Sequence, residues 1–415
     1  MIDIKILRDN PELVKANAIR RGCDVDIDQL VAEDQQYLEL NREVEELRAE
    51  RNRLSKESKN NPEARETVKL LKVSLGEKEK RLAELKAAIE AKMDWLPNFL
   101  APDVPDGAGD QDNAELCQKG KKPEFSFTPL DHHALGEKLG VIDLARGAKV
   151  AQSGFYYWRG AGAQLTQAMF FWGQQELVKR GFTLFLSPCM AKQQTLYGTG
   201  YLPFFADQTY SVANEDLALI GTSEQTLVGY HAGELLEAEQ LPYCYTAYTP
   251  CFRTEAGSYG KETRGIFRVH QFHKVELIVF CLPEESEKYH QFCLECEESL
   301  LQQLGIPYRI VNVCVGDMGA PGYKKYDIEA WYPGYGGYRE VTSNTNLTEF
   351  QSRRLNVRFK DKEGRRGFVH TISATGLTDR VVCAIMENFQ QEDGSVIVPE
   401  VLRPYTGFDR ITPAN

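Results

Sequence analysis

From about Asp28 to Met93 the chain carries almost no glycine and is rich in Glu, Lys, Arg and Leu. Within it Leu40, Val44, Leu47 and Leu54 recur at alternating four- and three-residue steps, with Arg51 standing where a further apolar residue would fall. Leu71, Leu75, Leu82, Leu85 and Ile89 repeat the rhythm after a break at Lys59-Asn60-Asn61-Pro62. That spacing is the seam of two successive helices. The residue before proline is pushed out of the α region, and proline itself suits the first turn of a new helix. The segment therefore predicts an antiparallel two-helix coiled coil over about 28–95, each helix roughly 45 Å long. A seam so thin leaves most of its surface in solvent. Such a hairpin is either a spacer or dimerisation device, or an arm that touches a large partner. Arg42, Arg48, Arg51, Arg53, Lys56 and Lys59 on the first helix could meet phosphates, as could Lys69, Lys72, Lys78, Lys80, Arg81 and Lys86 on the second. Glutamates alternate with them, so charge alone does not choose.

The stretch Leu96-Pro-Asn-Phe-Leu-Ala-Pro-Asp-Val-Pro-Asp-Gly-Ala-Gly reads as a linker. It places an N-terminal domain over 1–104 and a second domain over 105–415. After it, aromatic and β-branched residues rise, as in TLFLSPCM, YRIVNVCV and RRGFVHTI. Strands and helices mix without strict alternation, which predicts an α+β domain on a mostly antiparallel sheet flanked by helices. No GxGxxG follows a strand and there is no GxxxxGK[ST], so the two common nucleotide folds lack support.

Composition narrows the class. With 42% hydrophobic and 26% charged residues the chain is neither disordered nor fibrous. Its formal net charge of −11 argues against a general DNA coat, though not against a local basic stripe that grips RNA. Ten cysteines are scattered through 415 residues, which fits reduced, mostly buried thiols rather than a disulfide scaffold. The one close pair, Cys293 and Cys296, lies in a helical pattern with no second pair to complete a metal site, and reads as packing. The start MIDIKILRDN has no apolar signal core and no run is long enough to span a membrane. A soluble, cytoplasmic protein is expected.

The chemistry concentrates in Cys251-Phe-Arg-Thr-Glu-Ala-Gly-Ser-Tyr-Gly-Lys-Glu-Thr-Arg-Gly-Ile-Phe-Arg-Val-His-Gln-Phe-His-Lys-Val-Glu276. It opens in an apolar strand pattern, crosses a Gly-rich charged turn and leaves through the alternating run FRVHQFHKVELIVF. Arg253 and Glu255, two apart, would share one strand face. A guanidinium beside a carboxylate there is a plausible nucleotide clamp, or equally a cross-strand ion pair. The histidines of the block, His270 and His273, read as strand-face residues rather than bases.

This block resembles motif 2 of the class II aminoacyl-tRNA synthetases in the form used by the seryl-tRNA synthetases, FRxEAGSxGxxTRGxxRVHQFxKVE. The resemblance runs through nearly the whole chain. Gly160-Ala-Gly-Ala-Gln-Leu through Ser187-Pro188 is similar to motif 1, whose helix and strand build the family's dimer interface. Tyr197-Gly-Thr-Gly-Tyr-Leu-Pro, Leu219-Ile-Gly-Thr-Ser-Glu224, Lys325-Tyr-Asp-Ile-Glu-Ala-Trp and Tyr338-Arg-Glu-Val-Thr-Ser343 follow in the family's order. Glu387-Asn-Phe-Gln-Gln-Glu-Asp-Gly and Val398-Pro-Glu-Val-Leu-Arg-Pro-Tyr close the domain.

The resemblance implies a serine–tRNA ligase. Serine is activated with ATP to the adenylate and passed to the 3′ end of tRNA(Ser), which the helical arm grips; the enzyme is a homodimer without membrane or DNA partners. Arg253, Glu276 and Arg380 would be catalytic. Thr222, Ser223, Glu224, Glu276 and Thr375 would hold serine, with the hydroxyl and ammonium not yet assigned between Glu224 and Glu276. ATP would meet Arg253, Thr254, Glu255, Val269, Phe272, Glu340, Val341, Thr342, Ser343 and Arg380. Arg253 would take the α-phosphate, Phe272 would stack on adenine, and Glu340 and Ser343 would hold Mg²⁺. Motif 3 departs from the family pattern. Ser373-Ala-Thr-Gly-Leu-Thr-Asp-Arg380 has Ser373 in place of Asn, and its Arg comes one residue early. That is about 100° out of phase on a helix unless a preceding loop, with Gly376, absorbs it. Asp379 also adds a negative charge beside Arg380. Two alternatives stand beside the ligase: a synthetase-like paralogue that activates an amino acid for a non-tRNA acceptor, and a non-catalytic RNA-binding homologue.

Overall fold

The computed structural model describes residues 1–57, 61–256 and 265–413. The chain divides into two compact units, Met1–Phe99 and Leu100–Asn415. Leu96 is buried with the first, whereas Ala101 and Val104 are buried against Val311, Val313 and Met318 of the second. The Pro-rich segment read as a linker is thus packed, and the division falls at 99/100 where the sequence suggested 104/105.

The first unit starts with two short helices, α1 (Ile4–Asp9) and α2 (Pro11–Arg20). Asp3 and Asn10 cap them by accepting from the amides of Lys5 and Leu13. The long helices follow, α3 (Ile27–Glu57) and α4 (Pro62–Met93). Pro62 opens α4, and the Asn61 side chain accepts from the amides of Glu63 and Ala64. The turn residues 58–60 lie outside the described residues. Val44, Leu75, Leu85 and Ile89 of the seam are buried, while Leu40, Leu47 and Leu54 are half-buried. Leu30, Ile89, Met93 and Leu96 join Leu7 and Val14 in the core at the base of the hairpin.

The second unit is built on an eight-stranded sheet. Its strands are β1 (Ala114–Lys119), β2 (Thr183–Phe185), β3 (Tyr243–Phe252), β4 (Gln271–Cys281), β5 (Tyr308–Asn312), β6 (Lys324–Tyr332), β7 (Gly337–Thr348) and β8 (His370–Thr378). Their order across the sheet is β1-β5-β6-β7-β8-β4-β3-β2. Every pair is antiparallel except β2 with β3. Helix α5 (Gly160–Lys179) packs on β3 and β4, and α6 (Ser286–Leu304) lies along β7 and β8. Cys293 and Cys296 of α6 are both in the main core. A polar seam joins α6 to β7: Asn346 donates to Ser286 Oγ at 3.2 Å, and Asn344 donates to the His290 carbonyl at 2.9 Å. β8 runs straight into α7 (Asp379–Asn388), so no loop separates the motif 3 strand from its helix.

Candidate active site

Above the opposite face of β4, β7 and β8 lies a cavity of about 520 Å³. Its floor follows from strand alternation. Phe272, Lys274 and Glu276 on β4 line it, as do Ser343, Thr345 and Leu347 on β7 and Ser373 and Thr375 on β8. Glu340 is three residues from Ser343 and would point away in a regular strand. Val341 is an extra residue with no partner on β6, and this bulge brings Glu340 round to the cavity. Gly376 does the same on β8: Thr375 pairs with Glu276 and Leu377 with Val275, so Thr378 returns to the lining. The short motif 3 is therefore absorbed inside the strand rather than in a loop. A Cβ at Gly376 would come 2.9 Å from Leu277 Cδ1, which is why the bulge carries glycine.

The bulge leaves Arg380 facing the cavity. Its guanidinium donates to the Phe267 carbonyl at 3.1 and 3.2 Å, to the Glu340 carbonyl at 3.0 Å and to Glu340 Oε2 at 3.2 Å. The Asp379 carboxylate, next in sequence, is held by donors other than Arg380. It accepts from Trp158 Nε1 at 2.9 Å and from the His273 amide at 2.5 Å. His273 also stacks on Tyr248, while His270 contacts the Tyr210 hydroxyl at 3.1 Å.

Arg253 follows the last residue of β3, and its guanidinium lies 5.2 Å from the centre of the Phe272 ring. Arg253 and Glu255 do not share a strand face, since β3 ends at Phe252 and Glu255 has φ 51°. They line the cavity because the chain turns there, and Arg268 pairs with Glu255 at 3.3 Å. The Gly-rich turn of motif 2, residues 257–264, lies outside the described residues. Val269, Val341 and Thr342 line the cavity but are almost fully buried. Thr254 stands off it, its hydroxyl donating to the Asp207 carbonyl.

The two glutamates of the cavity differ in their partners. Glu276 is paired with Lys274 and accepts from Thr222 Oγ1 at 2.5 Å. Among the described residues Glu224 receives neutral donors: the Tyr201 hydroxyl at 3.0 Å and Gln351 Nε2 at 2.6 Å. Burial, then the nearby charge of Glu276, raises the Glu224 carboxyl above its usual range. Burial, then Glu224, pushes the Tyr201 phenol well up, so it remains a donor. Thr222 and Ser223 are fully buried behind the wall, with Ser223 at the cap of the short helix Glu224–Gly229. Lys325 on β6 pairs with Asp327 at 2.9 Å, and Asp327 sits directly across from Ser343.

Sequence reasoning missed Lys274, Tyr201, Arg268, Lys325 and Gln351. Lys274 was within reach, two residues before Glu276 on an alternating strand. Tyr201 lay in the quoted Tyr197–Pro203 stretch. Gln351 had no local signal.

Comparison with known proteins shows the family of the chain. Residues 1–100 match the seryl-tRNA synthetase N-terminal domain, and residues 209–389 match the class II tRNA synthetase core domain (G, H, P, S and T). A serine–tRNA ligase of Dictyoglomus turgidum is 43% identical over 423 residues, covering 100% of both chains. The chain belongs to the seryl-tRNA synthetase family. Among solved structures, the Pyrococcus horikoshii seryl-tRNA synthetase complexed with ATP aligns with a TM-score of 0.95 at 39% identity over 100% of both chains. The cytoplasmic serine–tRNA ligase of Naegleria fowleri in complex with AMP aligns at 0.90 and 29% identity, over 100% of this chain and 99% of that one. Both likenesses include the arm, so the sequence relation and the fold point to the same family. Among the described residues, no helix is long and apolar enough to cross a membrane.

Proposed function

We propose that the cavity activates serine with ATP and transfers it to the 3′ end of tRNA(Ser), making the chain a serine–tRNA ligase. The observation that carries this is the pair of unlike glutamates in one cavity with Arg253 and Arg380. Glu224 is a buried carboxylate whose hydrogen-bond donors among the described residues are neutral, so it suits the ammonium of an amino acid. Glu276 is already balanced by Lys274, so it suits a neutral hydroxyl, with Thr375 directly across the strands as a second hydroxyl partner. A site that hydrogen-bonds a hydroxyl rejects alanine strongly, because its buried polar groups would be left unpaired.

In the first step the serine carboxylate attacks the α-phosphate and pyrophosphate leaves. Arg253 offsets the charge that grows there, and Phe272 beside it offers a face for adenine. Arg380 meets the outer phosphates. In the second step a terminal hydroxyl of tRNA attacks the acyl carbon and AMP leaves. Positioning and charge neutralisation supply most of the catalysis. Glu340 and Ser343 share the cavity face and offer hard oxygens, a donor set that fits Mg²⁺. When bound, the ion would neutralise phosphate charge.

The arm meets tRNA. Lys69, Lys72 and Lys80 are exposed on one stripe of α4, and among the described residues they have no carboxylate partner. A homodimer is supported by exposed apolar residues on the motif 1 elements, with Leu186 at 92%, Phe171 at 54% and Leu184 at 40% exposed, next to the edge strand β2. The ten free cysteines suit the cytoplasm. Neither the non-tRNA acceptor nor the non-catalytic reading has a specific observation in its favour. Attachment of labelled serine to unfractionated tRNA tests the proposal. ATP-dependent charging is expected; its absence with folded protein would overturn it, and pyrophosphate exchange would then separate the two alternatives.

A further inference from the structure

One of the two groups that hold Glu224 comes from outside every motif. Gln351 is fully buried on the short helix Phe350–Leu355. Its Nε2 donates to Glu224 Oε1 at 2.6 Å and to the Thr199 carbonyl at 3.0 Å, and its Oε1 accepts from Thr371 Oγ1 at 2.8 Å. Acceptors at one end and a donor at the other fix which way the amide faces. The same helix grips the loop that carries Tyr201, the second donor to Glu224. Arg354 Nη1 donates to the carbonyls of Tyr197 and Leu202 at 3.0 and 2.9 Å. A Cβ at Gly198 would lie 2.2 Å from Leu355 Cδ2, so loop and helix meet with no room between them.

We propose that Gln351 is a positioning residue for amino-acid recognition, fixing the Glu224 carboxylate where the substrate ammonium is received. This rests on the reading of Glu224 as the ammonium partner. The charged and titratable groups facing Glu224 are Tyr201 from the loop and Glu276 and Lys274 from β4. Lys274 is paired with Glu276, and its charge offsets part of the rise that burial and Glu276 impose on Glu224.

The test is serine-dependent pyrophosphate exchange on the full chain. In Gln351→Ala, Glu224 loses one donor, and the KM for serine should rise about tenfold or more, as expected for losing a hydrogen bond to a charged group, with the KM for ATP unchanged. In Gln351→Glu two carboxylates face each other and one must hold a proton. The shared proton then competes with the substrate ammonium for Glu224, so the serine KM should fall as pH rises, more steeply than in the parent. If the alanine variant does not fold, Gln351→Met keeps the volume without the donor and takes its place. An unchanged serine KM, an equal rise in both KM values, or a Gln351→Glu profile parallel to the parent would overturn the proposal. A parent that shows no serine-dependent exchange removes the functional reading and this inference with it; a parent that exchanges normally beside unaffected variants removes only the inference.

Discussion

The arm and the catalytic unit use their charges in opposite ways. On the arm most cations are exposed and already answered by a glutamate. Arg48 reaches Glu79 across the hairpin at 2.8 Å and Lys78 reaches Glu43 at 2.5 Å, while Arg42, Arg53 and Lys86 pair along their own helices. Such pairs set register and keep a thin seam soluble, and each adds little stability. In the catalytic unit the pairs Lys274–Glu276 and Arg380–Glu340 sit in the wall of a cavity, where Glu224 takes its side-chain hydrogen bonds from neutral donors among the described residues. A surface on which most cations are paired recognises by its remainder, which includes Lys69, Lys72 and Lys80 of α4. A buried site recognises by a charge such as Glu224, held by neutral donors and open to a substrate cation.

The largest expected effect separates the two units. Removing residues 41–80 and closing the helices with a tight turn keeps the base core of Leu30, Ile89 and Met93. Charging of tRNA should fall to background while serine-dependent exchange persists. Surviving charging would make the arm a spacer. Next in size, Arg253→Ala should lower exchange about 100- to 1000-fold, or about 3–4 kcal/mol, as for loss of one transition-state charge donor. Its thermal transition should not move. Near-normal exchange would remove Arg253 from the chemistry.

The contrast extends to acid. His290 is fully buried on α6 and stacks on Tyr326; its Nε2 lies 3.1 Å from the Asn344 carbonyl and Nδ1 has no acceptor. Burial lowers its pKa to about 4, and burial lowers that of His370 to about 4 as well. Between these values and the unfolded pKa of about 6.5, the unfolded chain binds the extra proton. Stability is therefore present above about pH 6.5 and is lost as pH falls towards 4, by about 3 kcal/mol for His290. No histidine lies in Met1–Phe99, so the arm should keep its helix content where the catalytic unit melts. His290→Gln keeps a donor for Asn344 and should flatten the profile by its share. Loss of both units at one pH, followed by circular dichroism and by exchange activity, would end this contrast.

The two units also differed in how far their sequences could be read. In the arm, side-chain spacing and the Asn61-Pro62 signal are local, so together they located both helices and the break. In the catalytic unit, local pattern reached the mixed α+β class and the resemblance supplied the candidate residues. Neither showed how Glu340 joins Ser343 or how Arg380 reaches the cavity. Those placements depend on the bulges at Val341 and Gly376, which exist only as mismatches between paired strands. Gln351 was invisible for the same reason: its partners are 127, 152 and 20 residues away.

The smallest expected effect tests whether the arm recognises by its unpaired charge. Lys69, Lys72 and Lys80 should each neutralise a phosphate, whereas Lys78, bound to Glu43, should not. Replacing the three with alanine should weaken tRNA binding about tenfold at moderate salt and lower the slope of log K against log salt by about 2–3, the expected share of three phosphate contacts. Exchange should be untouched, because the cavity lies in the other unit. Lys78→Ala is the control: it removes one positive charge from the same helix without removing a free one. If it weakened binding as much as a single change at Lys69 or Lys72, pairing would not decide which cations meet tRNA. The net charge of the arm would then be the relevant quantity, and the difference drawn between the two units would shrink to one of burial alone.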